Sequence, residues 1–97
     1  VVIIARSAIT EFCSTHPDAG DGLLNWYVKT IESNWESFMD IKMTFNSVDY
    51  VGNDRYVFNI RGNKYRLIAM IFFDERTLYI RFIGTHSDYD RIKASEI

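Results

Sequence analysis

The residues of this chain best suited to chemistry on a polyanion lie in its second half. They are Asn59, Arg61, Lys64, Arg66, Tyr79 and Arg81, followed by His86, Asp88, Tyr89 and Asp90. A guanidinium presents phosphate with a planar fork of N–H donors, and a tyrosine ring gives any base a face to stack on. Cations interleaved with an aromatic side chain are what a single-stranded RNA surface needs. An ordinary solvated strand face with alternating charges would read the same way. Two features favour the ligand surface: the bases outnumber the acids on this face, and Tyr79 sits among them. His86 directly follows an apolar strand pattern, where a histidine serves as a cap or surface residue as readily as a proton carrier. His16, ahead of Pro17, reads as a structural or surface residue.

The overall charge of −2 argues against tight, non-specific nucleic-acid binding. Its distribution is uneven. Residues 1–50 hold Arg6, Lys29 and Lys42 against seven acids, whereas residues 51–97 hold eight bases against six. A local basic surface can exist on an acidic protein.

The elements that must position these residues follow from periodicity. Val1–Ala5 is a short β-branched run and reads as a strand, and residues 7–15 as a helix. Thr15-His16-Pro17-Asp18 is a helix start, because proline's missing N–H is unneeded in a first turn and Asp18 faces the positive end of the helix dipole. Leu23, Trp26, Tyr27 and Ile31 then recur at helical spacing, although Gly20 and Gly22 weaken the first turns. Ser33-Asn34 is a break, and Trp35, Phe38 and Phe45 point to a short third helix over 35–44. From there the period is two. Ser47–Val51, Arg55–Arg61, Lys64–Phe73 and Thr77–Gly84 read as strands. They are separated by Gly52-Asn53-Asp54, by a two-residue hairpin at Gly62-Asn63, and by Asp74-Glu75-Arg76. A short helix around Ser87–Ile92 ends the pattern, capped by Thr85 or Ser87.

This order predicts an α+β fold, with the first strand and two to three helices packed on one face of a twisted antiparallel sheet. A single domain over 1–97 is expected, and a hydrophobic fraction of 47% is ample for a core. Arginine is rarely buried unpaired, so the strand faces carrying Arg66 and Arg81 should point together, away from the helices. Asn59, Arg61, Lys64 and Tyr79 are expected to join them there. Cys13 is the only cysteine, which excludes an internal disulfide and suits a reducing, cytoplasmic setting. No apolar run approaches the ~18 residues of a membrane span, so a membrane is not an expected partner.

Two stretches resemble a known family. Phe58-Asn59-Ile60-Arg61-Gly62-Asn63-Lys64-Tyr65-Arg66-Leu67-Ile68-Ala69 and Ile83-Gly84-Thr85-His86-Ser87-Asp88-Tyr89-Asp90 closely resemble the HigB family of toxins, within the broad RelE/ParE-like group. His16-Pro17-Asp18, Trp26-Tyr27 and the Trp35 helix are similar too. The resemblance implies a messenger-RNA endonuclease that acts on the ribosome. It also implies a cognate helix-turn-helix antitoxin, HigA-like, and RNA bound on the open basic face.

For metal-free cleavage the RNA's own 2′-hydroxyl attacks phosphorus, and neither a metal nor another cofactor is expected. Arg66 and Arg81 are then candidates for the phosphoryl oxygens. Lys64 or His86 could act as general base or acid, and Tyr89 could stack on a base or move a proton. Asn59, Arg61, Asn63 and Tyr79 are candidate RNA contacts, with Asn63 equally explained by the turn. The ParE branch suggests the rival reading, a non-catalytic toxin that binds a protein such as gyrase.

Overall fold

Val2–Ile4 forms strand β1, and α1 (Ser7–Thr15) returns the chain across the sheet in the computed structural model, which describes residues 1–97. Pro17–Ala19 is a single 3-10 turn, and α2 (Gly20–Ile31) starts only after it. The 3-10 turn uses the preset φ of Pro17 but delays the regular helix by three residues relative to the sequence expectation. The third helix also starts late, at Phe38: α3 spans Phe38–Thr44. Ser37 is extended there, and the Asp40 carboxylate accepts the Glu36 N–H at 2.9 Å, closing the chain before the helix. Trp35 therefore sits outside the helix, its indole N–H donated to Thr44 Oγ1 at 3.0 Å.

The rest is a meander of β2 (Val48–Gly52), β3 (Arg55–Ile60), β4 (Tyr65–Phe72) and β5 (Thr77–Thr85), closed by α4 (His86–Asp90) and a 3-10 turn at Ala94–Glu96. The sheet order is β1-β5-β4-β3-β2. The meander is antiparallel, but β1 pairs parallel with β5, so the sheet is mixed. A chain that leaves β1 through helices and enters the sheet again from its far edge can bring β5 alongside β1 in this direction.

The helices cover one face. Leu23 and Trp26 of α2 and Ile41 of α3 pack with Phe58, Leu67, Ala69 and Leu78 of the sheet, all essentially inaccessible to water. Phe58 is the hub, edge-on to Trp26 and Phe45 and stacked with Trp35. Gly22 explains itself here. A Cβ on it would stand 3.0 Å from Ile60 Cγ2 and 3.3 Å from Arg61 N, so glycine lets the first turn of α2 touch the end of β3. No helix is long and apolar enough to cross a membrane.

Candidate nucleic-acid interface

On the face away from the helices the register stacks three rows. Arg66 lies between Asn59 and Gly84, Ile68 between Val57 and Phe82, and Met70 between Arg55 and Tyr79. The first row gathers the polar groups. Arg66 Nη1 donates to the carbonyls of Asn63 at 2.9 Å and Tyr65 at 3.3 Å, and the guanidinium lies 5.8 Å from the centre of the Tyr89 ring. This fixes the plane of the arginine while Nε and Nη2 stay available to a ligand. Asn59 Nδ2 donates to Ser47 Oγ. Gly84 has no room for a side chain because the Phe82 ring lies over it, making an aromatic floor beside Arg66.

Helix α4 brings in the remaining groups. Thr85 caps it in a reciprocal box: Thr85 Oγ1 accepts the Asp88 N–H at 3.1 Å, and Asp88 Oδ2 accepts the Thr85 N–H at 3.3 Å. The His86 N–H is donated to the Lys64 carbonyl at 3.2 Å, which ties the helix to the β3–β4 loop. His86 Nδ1 lies 3.2 Å from Asp90 Oδ2, one helical turn on, so the carboxylate orients the imidazole. Arg66, Asn59, Asn63, His86 and Tyr89 are thus brought to one end of the sheet.

Arg61 and Lys64 turn elsewhere. The β3–β4 connection is a four-residue loop, Arg61–Lys64, with Arg61 and Gly62 at φ 54° and 65°. The two-residue hairpin and a strand running through Arg61 do not occur. At positive φ Arg61 leaves the strand alternation, and both cations reach around the end of the sheet to Asp18. Asp18 Oδ2 accepts from Arg61 Nη1 at 2.6 Å and Lys64 Nζ at 2.5 Å, and Oδ1 accepts from the Tyr65 hydroxyl at 2.5 Å. The Lys64 and Tyr65 hydrogen bonds hold the Asp18 carboxyl down at about 2. The same contact raises the Lys64 ammonium above its ordinary value. A lysine stabilised as a cation suits charge neutralisation and suits proton acceptance poorly. Asp18 reads in sequence only as a helix-dipole partner. Its true partners lie more than 40 positions away, beyond any local signal.

Tyr79 and Arg81 lie lower on the sheet. Tyr79 faces outward as expected, edge-on to Phe72 with ring centres 6.0 Å apart. Arg81 occupies a β-bulge, between the pairs Ile68↔Phe82 and Ala69↔Ile80. The extra residue reverses the alternation, so beyond it Phe82 faces out and Ile83 packs on the helix-side core. Arg81 Nε donates to the Ile97 main-chain oxygen at 3.3 Å. Arg55, which sequence reading leaves aside, donates to the same oxygen from Nε at 3.3 Å and Nη2 at 2.7 Å. The C-terminal segment therefore crosses the lower two rows. Ala94–Glu96 lies against β2 and β3, and Val57 and Ile68 beneath are 4% and 0% exposed. The face read as open from sequence is closed over its middle, at Val57 and Ile68, and stays accessible along the Arg66 row.

No three of the His, Cys, Asp and Glu side chains gather closely enough to ligate a metal ion. The half-buried Cys13 is a free thiol packed against the core.

This architecture, with its cationic and aromatic end, belongs to a RelE-like toxin. Residues 19–92 match the family model described as HigB toxin, RelE-like toxic component of a toxin-antitoxin system. The mRNA interferase toxin HigB of Escherichia coli K12 is 32% identical over 98 aligned residues, covering 91% of this chain and 86% of that protein. The mRNA interferase HigB of Shigella flexneri gives the same figures, and that of E. coli O6:H1 is 25% identical over 93% of this chain and 89% of its own. The chain belongs to the HigB family of toxins.

Proposed function

We propose that this toxin is a metal-independent endoribonuclease that cuts messenger RNA on the ribosome, in the cytoplasm, and so stops translation. A HigA-like helix-turn-helix antitoxin would hold it silent. The observation that carries the reading is the Arg66 row. A guanidinium anchored by two carbonyls stands beside an aromatic ring and a carboxylate-oriented histidine on an uncovered sheet end. That the relatives are named mRNA interferases supports the same reading. The overall charge of −2 fits a ribosome-assisted enzyme, since the ribosome supplies affinity that the toxin's own phosphate contacts do not.

In this mechanism the 2′-hydroxyl attacks the adjacent phosphorus in line and the 5′-oxygen departs. Arg66 binds the phosphoryl oxygens through its unused N–H groups, where preorganised charge is worth most as the phosphorane develops. His86, held by Asp90, transfers protons, a role worth typically ~10²–10⁴-fold. Tyr89 stacks on a base next to the scissile bond. Asn59 and Asn63 hold neighbouring sugar or base edges. Lys64 and Arg61, with Asp18 between them, extend the cationic surface around the sheet end.

The test is transcript cleavage mapped by primer extension in a reconstituted translation reaction, with and without the toxin. Cuts confined to translated messages are expected. Intact messages, together with DNA-damage signalling on expression in cells, would replace this reading with a gyrase-directed toxin.

A further inference from the structure

The C-terminal segment shares the outer face with the Arg66 row, and it is held there by more than its own packing. Three guanidinium donors, two from Arg55 on β3 and one from Arg81 on β5, converge on one main-chain oxygen, that of Ile97. Asn53 Nδ2 donates to the Ser95 carbonyl at 2.9 Å and pins the segment at the sheet's β2 edge. The two arginines stand on strands either side of β4, so the segment between them bridges β4. Beneath it Ile68 and Val57 are sealed from water on the face away from α2 and α3. Upstream, the same stretch of chain continues into α4, which carries His86 and Tyr89.

We propose that Arg55 and Arg81 are positioning residues. They clamp residues 92–97 across the sheet, and the clamped segment forms the lower wall of the RNA groove and fixes the end of α4. The groove is then one row deep, wide enough for a single strand lying along Arg66, Asn59 and Tyr89. Arg81 acts on RNA through the wall. Its Nε is committed to the Ile97 main-chain oxygen, and its place in a bulge sets it below the Arg66 row. A displacement of α4 by about 1 Å is enough to lower cleavage on the order of 10²-fold. The inference rests on the RNA-cutting reading for its catalytic half and on geometry alone for the clamp.

A mutational cycle separates the possibilities. Cleavage of a translated message is measured for the full chain, Arg81→Ala, a chain stopped after Lys93, and the stopped chain carrying Arg81→Ala. Arg81→Ala and the stop should each lower kcat on the order of tenfold or more, and Arg81→Ala should add less than about twofold in the stopped chain. An equal loss from Arg81→Ala in both backgrounds would mean that Arg81 touches RNA directly, and would overturn the proposal. Faster cleavage by the stopped chain would overturn it too, making the segment a blocking strap.

Stopping the chain uncovers Ile68, so Asn53→Gly provides a milder release. It keeps the left-handed backbone at φ 51° while removing the amide that holds Ser95. A several-fold loss of kcat with KM little changed is expected. Hydrogen exchange judges the clamp without any cleavage assay. The Glu96 amide, bonded to Lys93 O at 2.9 Å, should lose protection in Arg55→Ala and Arg81→Ala. Unchanged protection refutes the clamp. If the full chain itself cuts no message, the RNA-cutting reading fails and takes the groove wall with it, while exchange still decides the clamp.

Discussion

Ile68→Ala probes the covered face. A strand residue on an open sheet face tolerates truncation, and surface substitutions of that kind stay within about 0.5 kcal/mol. Ile68 is 0% exposed, opposite Val57 on one side and Phe82 on the other, with the C-terminal segment above. Replacing isoleucine by alanine removes three carbons, about 2.4 kcal/mol of transfer free energy at ~0.8 each. Any cavity the segment fails to fill adds to this, so the total falls within the ~2–5 kcal/mol of buried isoleucine truncations. For a chain of this size each kcal/mol moves the thermal midpoint by ~4–8 °C, so the transfer free energy alone gives a shift on the order of 10–20 °C, and any cavity adds to it. Urea denaturation followed by tryptophan fluorescence gives the free energy directly. In a chain stopped after Lys93 the same substitution should become much milder, since the site is already wet. A loss below about 1 kcal/mol in the full chain would refute the covered face and with it the one-row groove.

Asp18→Asn should flatten the acid end of the stability profile. The native carboxyl sits at about 2 against an ordinary 3.8, so its contribution is present above pH ~4 and is lost as the pH falls toward 2. Thermal midpoints measured between pH 4 and 2 should therefore fall less steeply in the variant, and equal slopes would contradict the three-donor contact. Gly22→Ala gains up to ~1 kcal/mol of helix propensity but drives a Cβ against Ile60 and the Arg61 backbone. A net loss of stability by chemical denaturation is expected, and a gain would mean that α2 can slide away from β3. Tyr89→Phe keeps the ring 5.8 Å from the Arg66 guanidinium and should retain most cleavage. Tyr89→Ala should lose on the order of 10–100-fold, from the ~1–3 kcal/mol of one stacked base. Equal losses in the two variants would transfer the role to the hydroxyl.

The fold was legible where one period dominates. Leu23 and Trp26 at helical spacing, and Tyr56, Phe58 and Ile60 at strand spacing, each have one partner surface available, and each lies in the helix-side core. The parallel pairing of β1 was not legible, because Val2–Ile4 carries no local mark of direction. Two single-residue events hid the rest. The positive φ of Arg61 takes it out of alternation, and the bulge at Arg81 reverses the faces of Phe82 and Ile83; neither changes the binary pattern before it happens. Arg66, His86 and Tyr89 stand out in the sequence because their types announce their chemistry, and the fold brings them to one end of the sheet. Asp18, Arg55 and the Ile97 main-chain oxygen do not stand out in this way. Each matters through a partner tens of positions away, and a main-chain oxygen has no signature in a sequence at all.

The role of Arg66 is tested most directly by single-turnover cleavage of a ribosome-bound message by the wild-type toxin and by Arg66→Ala, at equal concentrations of folded protein, with the thermal midpoint of each recorded. Arg66→Ala is expected to cleave at least ~10²-fold more slowly, while the thermal transition is nearly unchanged. Cleavage within a few-fold of wild type would place the chemistry away from the Arg66 row and contradict the account.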